Sequence, residues 1–221
     1  DRRGVDVALL YKPSVFKVVS SYPVKLSMPD DTAFYTRDQL VVKGLLDGEP
    51  LNIIVNHWPS RRGGEAISAP KRAAAATLCR AIADSICKVT PNAKTIVMGD
   101  LNDDPTDNSI VKVFKAKGKS DNLSPCDFYD PMIKLYKDGI GSLAYQDSWN
   151  LFDQTIISAG LINNVNAGWK FAVAKVYNKS YLTQKEGAFK GYPFRTMVGG
   201  VFMGGYSDHF PVYIFLTKEV K

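Results

Sequence analysis

Short apolar runs rich in β-branched residues recur along this chain, and a polar or acidic side chain closes most of them. The segments "VDVALLY" (5–11), "VFKVV" (15–19), "DQLVVKGLL" (38–46) and "LNIIVNHW" (51–58) have strand length and composition, as do "WNLFDQTIIS" (149–158), "WKFAVAKVY" (169–177) and "HFPVYIFLTKE" (209–219). A chain patterned this way must build its core around a sheet. Asp47-Gly48, between two of the runs, predicts a hairpin turn. Over 67–89 the pattern changes: Ala74, Leu78, Ala81, Ile82 and Ile86 recur at spacings of three and four, which predicts an amphipathic helix. "KTIVMGDLND" (94–103) follows as a short buried strand expected to break at Gly99. "DNSIVKVFKA" (107–116) predicts a second, shorter helix with Asp107 as its cap. Residues 117–147 mix Gly, Pro, Asp, Ser and Lys with weak periodicity and predict long loops. No repeat, low-complexity tract or linker interrupts the chain, so a single α/β domain over 1–221 is expected.

At 221 residues with 45% hydrophobic side chains, the chain can bury a sizeable core. No run is long and apolar enough to span a membrane. The formal net charge of +6 favours anionic partners such as phosphates or nucleic acid, and equally suits plain solubility. Cys79 and Cys87 lie on one predicted helix, too far apart to bridge, and no Cys-x-x-Cys or Cys/His spacing is present. Neither a disulfide framework nor a structural zinc site is expected. The chain opens on Asp1, without a methionine or signal peptide, and reads as a processed or truncated piece. A removed signal peptide would make it periplasmic or secreted.

The strand ends carry the chemistry. Only two histidines are present, His57 in "NHWPSR" and His209 in "YSDHFPVY". In "VMGDLNDDP", side-chain alternation is expected to bring Asp100 and Asn102 to one side of the chain. A carboxylate and an amide there suit a hydrated divalent cation, or a phosphate oxygen with its attacking water. A plain Asp/Asn turn is the competing reading. Asp208 beside His209 offers a metal ligand next to a general acid or base, or an ordinary surface pair. Asp153 interrupts an otherwise apolar strand and is costly to bury without a partner. A histidine held in one tautomer is the expected partner.

Taken together and in order, "NHWPS", "GDLND", "LFDQTII" and "SDHFPV" resemble the endonuclease/exonuclease/phosphatase superfamily, and the resemblance spans nearly the whole chain. "NHWPSRRGGE" is similar to a bacterial branch of undefined substrate. The resemblance implies a four-layer α/β/β/α sandwich of the deoxyribonuclease I type and metal-dependent phosphoester hydrolysis. It implies catalytic roles for His57, Asp100, Asn102, Asp153 and His209. The histidines would meet the phosphate, Asp100 and Asn102 would place it and the attacking water, and Asp153 would orient His209. Asp208 and Asp100 are the implied ligands of Mg²⁺ or Mn²⁺. Asn56, Arg61 and Arg37 are candidate substrate contacts, against the ordinary case of solvated or ion-paired loop arginines.

The family's asparagine strand and the strand bearing its main metal-binding glutamate would lie before residue 1. Glu49 and Glu65 fall in the wrong loops to replace that glutamate. On this reading the domain lacks its N-terminal portion, its metal binding is weakened, its hydrolysis is impaired, and a sheet edge is open to association. A phosphodiesterase or nuclease is the first functional expectation, with a phosphoester, nucleic acid included, as the partner. An inositol-phosphate or lipid-headgroup phosphatase is the alternative, and the apolar membrane-docking hairpin that a sphingomyelinase would need is not evident. A non-catalytic phosphate- or nucleic-acid-binding module is the alternative from a different class. Asp6 is expected to pair near Arg2 or Arg3, and Tyr145 and Trp149 to pack at a strand start.

Overall fold

Between Leu46 and Glu49 the chain reverses through Asp47 (φ 46°) and Gly48 (φ 81°). Both are left-handed, the geometry that matches strand twist in a two-residue hairpin. The computed structural model describes residues 4–28, 31–163 and 168–219. In chain order its elements are β1 (Phe16–Val24), β2 (Gln39–Leu46), β3 (Glu49–His57), α1 (Glu65–Val89), β4 (Thr95–Asp100), β5 (Ala116–Lys117), β6 (Phe128–Tyr129) and α2 (Met132–Lys137). There follow β7 (Leu143–Tyr145), β8 (Ser148–Asn150), β9 (Asp153–Ser158), β10 (Lys170–Val176), β11 (Met197–Val198), β12 (Val201–Phe202) and β13 (Val212–Thr217).

Seven strands form one sheet in the order β1-β2-β3-β4-β9-β6-β5. β3 and β4 are parallel, so a crossover must join them, and α1 is that crossover. It meets the sheet through Ala75, Cys79, Ile82 and Ile86, which pack against Val41, Ile54, Val97 and Ile156. Of the predicted stripe Ile82 and Ile86 are buried, Ala74 and Leu78 are partly buried at its margin, and Ala81 is exposed, so the buried face is turned by about one residue from the predicted one. On the opposite face Val42, Ile53, Val55, Ile96 and Ile157 meet Trp169, Phe171, Ile214 and Leu216, on or next to the antiparallel pair β10–β13. This is the mixed α/β architecture around a large central sheet that the sequence predicts. Of the four expected layers the described residues form helix, large sheet and small sheet. They place no α-helix over the outer face of β10–β13, where Val173 and Phe215 are exposed.

Several local expectations change. Residues 5–11 pair with no strand among the described residues, yet Val7 and Leu9 pack into the second core face. Their alternation reports burial without a ladder. Gly99 does not end β4; it pairs with Asn56 on one side and Gln154 on the other. Its φ is 133°, and a Cβ there would run into the Asn56 carbonyl, so only glycine fits where β3 and β4 close together. Gly99→Ala should destabilise the protein by about 1–3 kcal/mol from the backbone conformation alone, with the clash added, read as a lower urea midpoint.

The helix predicted over 107–116 shrinks to a π-helical stretch, Ser109–Phe114. Asp107 does not cap it, because its carboxylate accepts from the Asp104 amide at 2.8 Å and from Arg61 at 2.7 Å. Residues 117–147 hold β5, β6, α2 and β7, elements too short to leave a periodic trace. Cys87 and Cys126 form a disulfide that spacing alone could not reveal, since the Cys126 loop meets the end of α1 only in the fold. Cys79 stays free and buried. An apolar hairpin does exist: β11 and β12 pair with Met197, Val198, Val201 and Phe202 exposed. Strands of two residues lie below the length at which a pattern is legible. No helix among the described residues is long and apolar enough to cross a membrane. The expected pairing of Asp6 with Arg2 or Arg3 lies outside the described residues.

Candidate active site

β3, β4 and β9 lie side by side, and their registers set His57 opposite Asp100 and Asp100 opposite Asp153. Directly paired residues share a face of the sheet. Parity identifies which one. Leu51, Ile53 and Val55 precede His57 on β3, Ile96 and Met98 precede Asp100 on β4, and all five pack toward β10–β13. A row of three polar side chains therefore sits at the end of the gap between the two sheets. His57 Nε2 lies 3.5 Å from Asp100 Oδ2.

His209 enters this row from the other sheet, three residues before β13. Its Nδ1 lies 2.7 Å from Asp153 Oδ2. Ser142 braces the pair twice: its hydroxyl donates to Asp153 Oδ2 at 2.6 Å, and its carbonyl accepts from the Phe210 amide at 2.6 Å. Phe210 is buried and stacks on Trp149 at 6.0 Å, so the backbone beside His209 is held on both sides. Trp149 thus packs as expected, while Tyr145 is exposed. Sequence reasoning missed Ser142, which belongs to no motif. Only the approach of the β7 strand to β9 reveals it.

Other predicted residues turn elsewhere. Asn56 points to the α1 side of the sheet, as its parity with the buried Ile54 requires. It is 2% exposed; its amide donates to the Ile54 carbonyl at 3.0 Å and its oxygen accepts from Trp58 Nε1 at 3.0 Å. It cannot meet a substrate beside His57. Arg61 turns into the acidic loop, donating to Asp107 at 2.7 Å and to the Asn102 carbonyl at 3.0 Å, with Phe152 under its guanidinium. That ion pairing takes it away from a phosphate clamp. Arg37 is buried and donates to the His57 and Trp58 carbonyls at 3.1 and 2.6 Å, so it braces the turn behind His57.

Asn102 does not continue the strand alternation, because its φ is 53°. Its amide N–H donates to Asp100 Oδ1 at 2.9 Å, and its side chain donates to the Trp58 carbonyl at 3.0 Å. The Asp/Asn turn expected of "GDLND" is present, and Asp100 is oriented by the turn it closes.

Burial and the nearby charge of Asp153 push the Asp100 carboxyl up to about 6, against the opposing pull of His209, the Asn102 N–H and Arg37. Burial alone would depress His209; the Asp153 hydrogen bond and the charges of Asp153, Asp100 and Asp208 outweigh it and carry the imidazole up to about 9. His209 is therefore an imidazolium at neutral pH. Asp208 is exposed to solvent. Among the described residues, no group of three or more His, Cys, Asp or Glu side chains is placed to hold a metal ion. A cleft of about 500 Å³ is lined by Arg37, Arg62, Lys71, Phe34 and Tyr35 among others, on the α1 side, and none of the row's side chains lines it.

A sequence profile described as the endonuclease/exonuclease/phosphatase family matches residues 1–218. No curated protein matches the sequence. Among solved structures, humanized TDP2 of D. rerio superposes with a TM-score of 0.58 at 15% identity, over 93% of this chain and 69% of that one. D. rerio TDP2 complexed with a single-strand DNA product gives 0.55 at 16% identity, over 93% and 70%. A functionally unknown conserved protein from Enterococcus faecalis V583 gives 0.53 at 17% identity, over 95% and 69%. At such identities these likenesses concern the fold.

Proposed function

The chain belongs to the endonuclease/exonuclease/phosphatase family, a family of phosphoester hydrolases, and on that premise we propose that it cleaves phosphodiesters, with nucleic acid as its substrate. The observation that carries this reading is the approach of two histidines from different sheets to one carboxylate row. His57 and His209 flank a phosphate bound there. The Asp153 contact occupies Nδ1 of His209, so Nε2 faces the phosphate and donates to a phosphoryl or leaving-group oxygen. Asp100, held by the Asn102 N–H, orients the water that attacks in line.

A divalent cation fits this site in part. Asp100 is a carboxylate whose proton affinity is raised by burial and by a neighbouring negative charge, an environment that a cation relieves. Asp100 would hold Mg²⁺ or Mn²⁺ with Asp208 as the second carboxylate, and water and substrate oxygens would complete the shell. When bound, such an ion neutralises charge on the phosphoryl oxygens. With so few protein ligands, activity should rise through the millimolar range of Mg²⁺ without early saturation.

Two observations support nucleic acid as substrate. Arg62 and Lys71 line a cationic cleft whose wall includes Arg37, the residue that braces the His57 carbonyl, and such a cleft suits a polyanion backbone. TDP2 of D. rerio, similar in fold, is known with a single-strand DNA product. The exposed apolar hairpin favours a second reading, hydrolysis of a lipid-headgroup phosphoester. Hydrolysis of supercoiled DNA and of bis-p-nitrophenyl phosphate, with Mg²⁺, Mn²⁺ or chelator, tests the proposal beside His57→Ala. Metal-dependent cleavage that falls by about 10²-fold or more in the variant is expected. Cleavage unchanged by His57→Ala, or none on either substrate with either metal, would sink it.

A further inference from the structure

The β7–β8 ribbon carries a row of aromatic rings away from the Asp153–His209 pair. Ser142 stands immediately before β7, and its hydroxyl reaches Asp153. Side chains alternate along a strand, so Ser142 and Ala144 share a face of the ribbon. Trp149 shares it too, because it pairs directly with Ala144. The stacking of Trp149 on Phe210, the neighbour of His209, agrees with that placement. Two residues of strand rise about 7 Å, so Trp149 stands roughly that far along the ribbon from Ser142. Tyr192 packs edge to face on Trp149 at 5.8 Å, and Phe189 leans on Tyr192 at 5.7 Å. The row opens to solvent: Trp149 is 37% exposed and Phe189 62%.

These rings are held in place. The Tyr192 hydroxyl donates to Asp147 Oδ1 at 2.6 Å and accepts from the Asp147 amide at 3.0 Å. Those two bonds tie the tip of the ribbon to the loop that bears Phe189 and Tyr192. Gln146 and Asp147 turn the ribbon with φ of 49° and 59°. Behind the indole, Phe210 is buried, and Gly141 has no room for a side chain against the Trp149 ring. A fixed aromatic surface of this kind binds a flat ligand with little ordering cost.

We propose that the Trp149–Tyr192–Phe189 row is a stacking subsite for an unpaired nucleobase next to the scissile phosphate, which makes a single strand the preferred nucleic acid. The inference rests on the phosphodiesterase reading, because the phosphate between the two histidines is its anchor. The spacing along the ribbon leaves room for one sugar between that phosphate and the rings. Three aromatic rings in succession suit a π-face, which every base presents, more than an aliphatic chain. The Asp147 carboxylate at the end of the row disfavours a second phosphate there. In a duplex the bases are stacked inside the helix and would first have to be drawn out.

Fluorescence anisotropy tests this with a labelled single strand, its duplex, and the same strand built on base-free sugars, all in chelator so that none is cleaved. Hydrolysis of bis-p-nitrophenyl phosphate reports separately on the phosphodiesterase reading, so failure of one is distinguishable from failure of the other. Wild type should bind the intact strand about fivefold to a hundredfold more tightly than the base-free strand, the range for stacking one base. In Trp149→Ala that ratio should fall to about one, and Trp149→Phe should keep most of it. Because the ratio is taken within each variant, general damage to the fold cancels. Phe189→Ala should narrow the ratio as well, and decides the matter if Trp149→Ala does not fold. Equal binding of intact and base-free strands by wild type, or a ratio that Trp149→Ala leaves unchanged, would overturn the proposal. So would tighter binding of the duplex than of the single strand, or no binding of any strand.

Discussion

His209→Ala should lower phosphodiester hydrolysis by about 10²- to 10⁴-fold, the range for removing a positioned acid or base, and should lower the urea midpoint at neutral pH more than above about pH 9. The residue sits in a loop before β13, and its side chain touches Asp153 where the site opens. The more telling variant is Asp153→Asn. Burial, the largest single influence on His209, lowers its proton affinity; the Asp153 hydrogen bond and charge reverse that and lift it to about 9. If the imidazolium is the working form, the rate holds up to about pH 9 and then falls. On the acid side it falls as Asp100 takes up a proton, and that limb should move to lower pH as the divalent cation concentration rises. In Asp153→Asn the burial of His209 loses its largest opposition and only the charges of Asp100 and Asp208 remain against it, so the alkaline limb should move down toward neutrality. A limb that stays near 9 in that variant would remove His209 from the assigned role. The same shift has a stability consequence of defined sign. His209 is raised in the folded state, so its contribution is fully present below its ordinary value of 6.5 and is lost as pH rises through about 9.

Arg72→Met should lower the unfolding free energy by about 3–5 kcal/mol at neutral pH, the usual result of removing one partner from a buried ion pair. Arg72 is fully buried on α1. It donates to Asp103 at 2.5 Å, Ser68 at 2.8 Å and Glu65 at 2.7 Å. Asp103 is 3% exposed and also accepts from Ser109 at 2.5 Å, so without Arg72 its charge stays buried with weakened compensation. Burial already raises the Asp103 carboxyl, with the Ser109 hydrogen bond and the Arg72 charge among the forces opposing it. Loss of Arg72 raises it further, and protonation then relieves the variant. The deficit should therefore shrink as pH falls, which urea titrations at two pH values would show. Arg72→Met/Asp103→Leu should recover much of the loss, because it removes both charges. An Arg72→Met deficit independent of pH would mean that packing, not charge, dominates there.

The elements legible in advance are those whose cause is local. The Asp47-Gly48 turn follows from left-handed backbone preferences, and α1 from a stripe that repeats every turn of helix. The polar ends of β3, β4 and β9 are equally local, since a strand that stays apolar up to its last residue must deliver that residue at the sheet's rim. The inward turn of Asn56 is equally local: neighbours in one strand face opposite ways, so His57 in the site puts Asn56 out of it. Arg61 was not legible. Its choice between a phosphate and the Asp103–Asp107 loop depends on where a segment some forty residues away folds. Ser142, the Cys87–Cys126 bridge and the buried Arg72 share that cause.

By itself the sequence determined the α/β class, the hairpin, the long crossover helix and the residues available at the strand ends, because backbone preference and side-chain parity act over a few residues. Only the tertiary structure decided that β3, β4 and β9 stand in register, that Ser142 braces the Asp153–His209 pair, that Arg61 pairs with the acidic loop, and that the β11–β12 tip stays uncovered. Those outcomes depend on contacts between segments far apart in the chain, and no local pattern encodes the distance that brings them together.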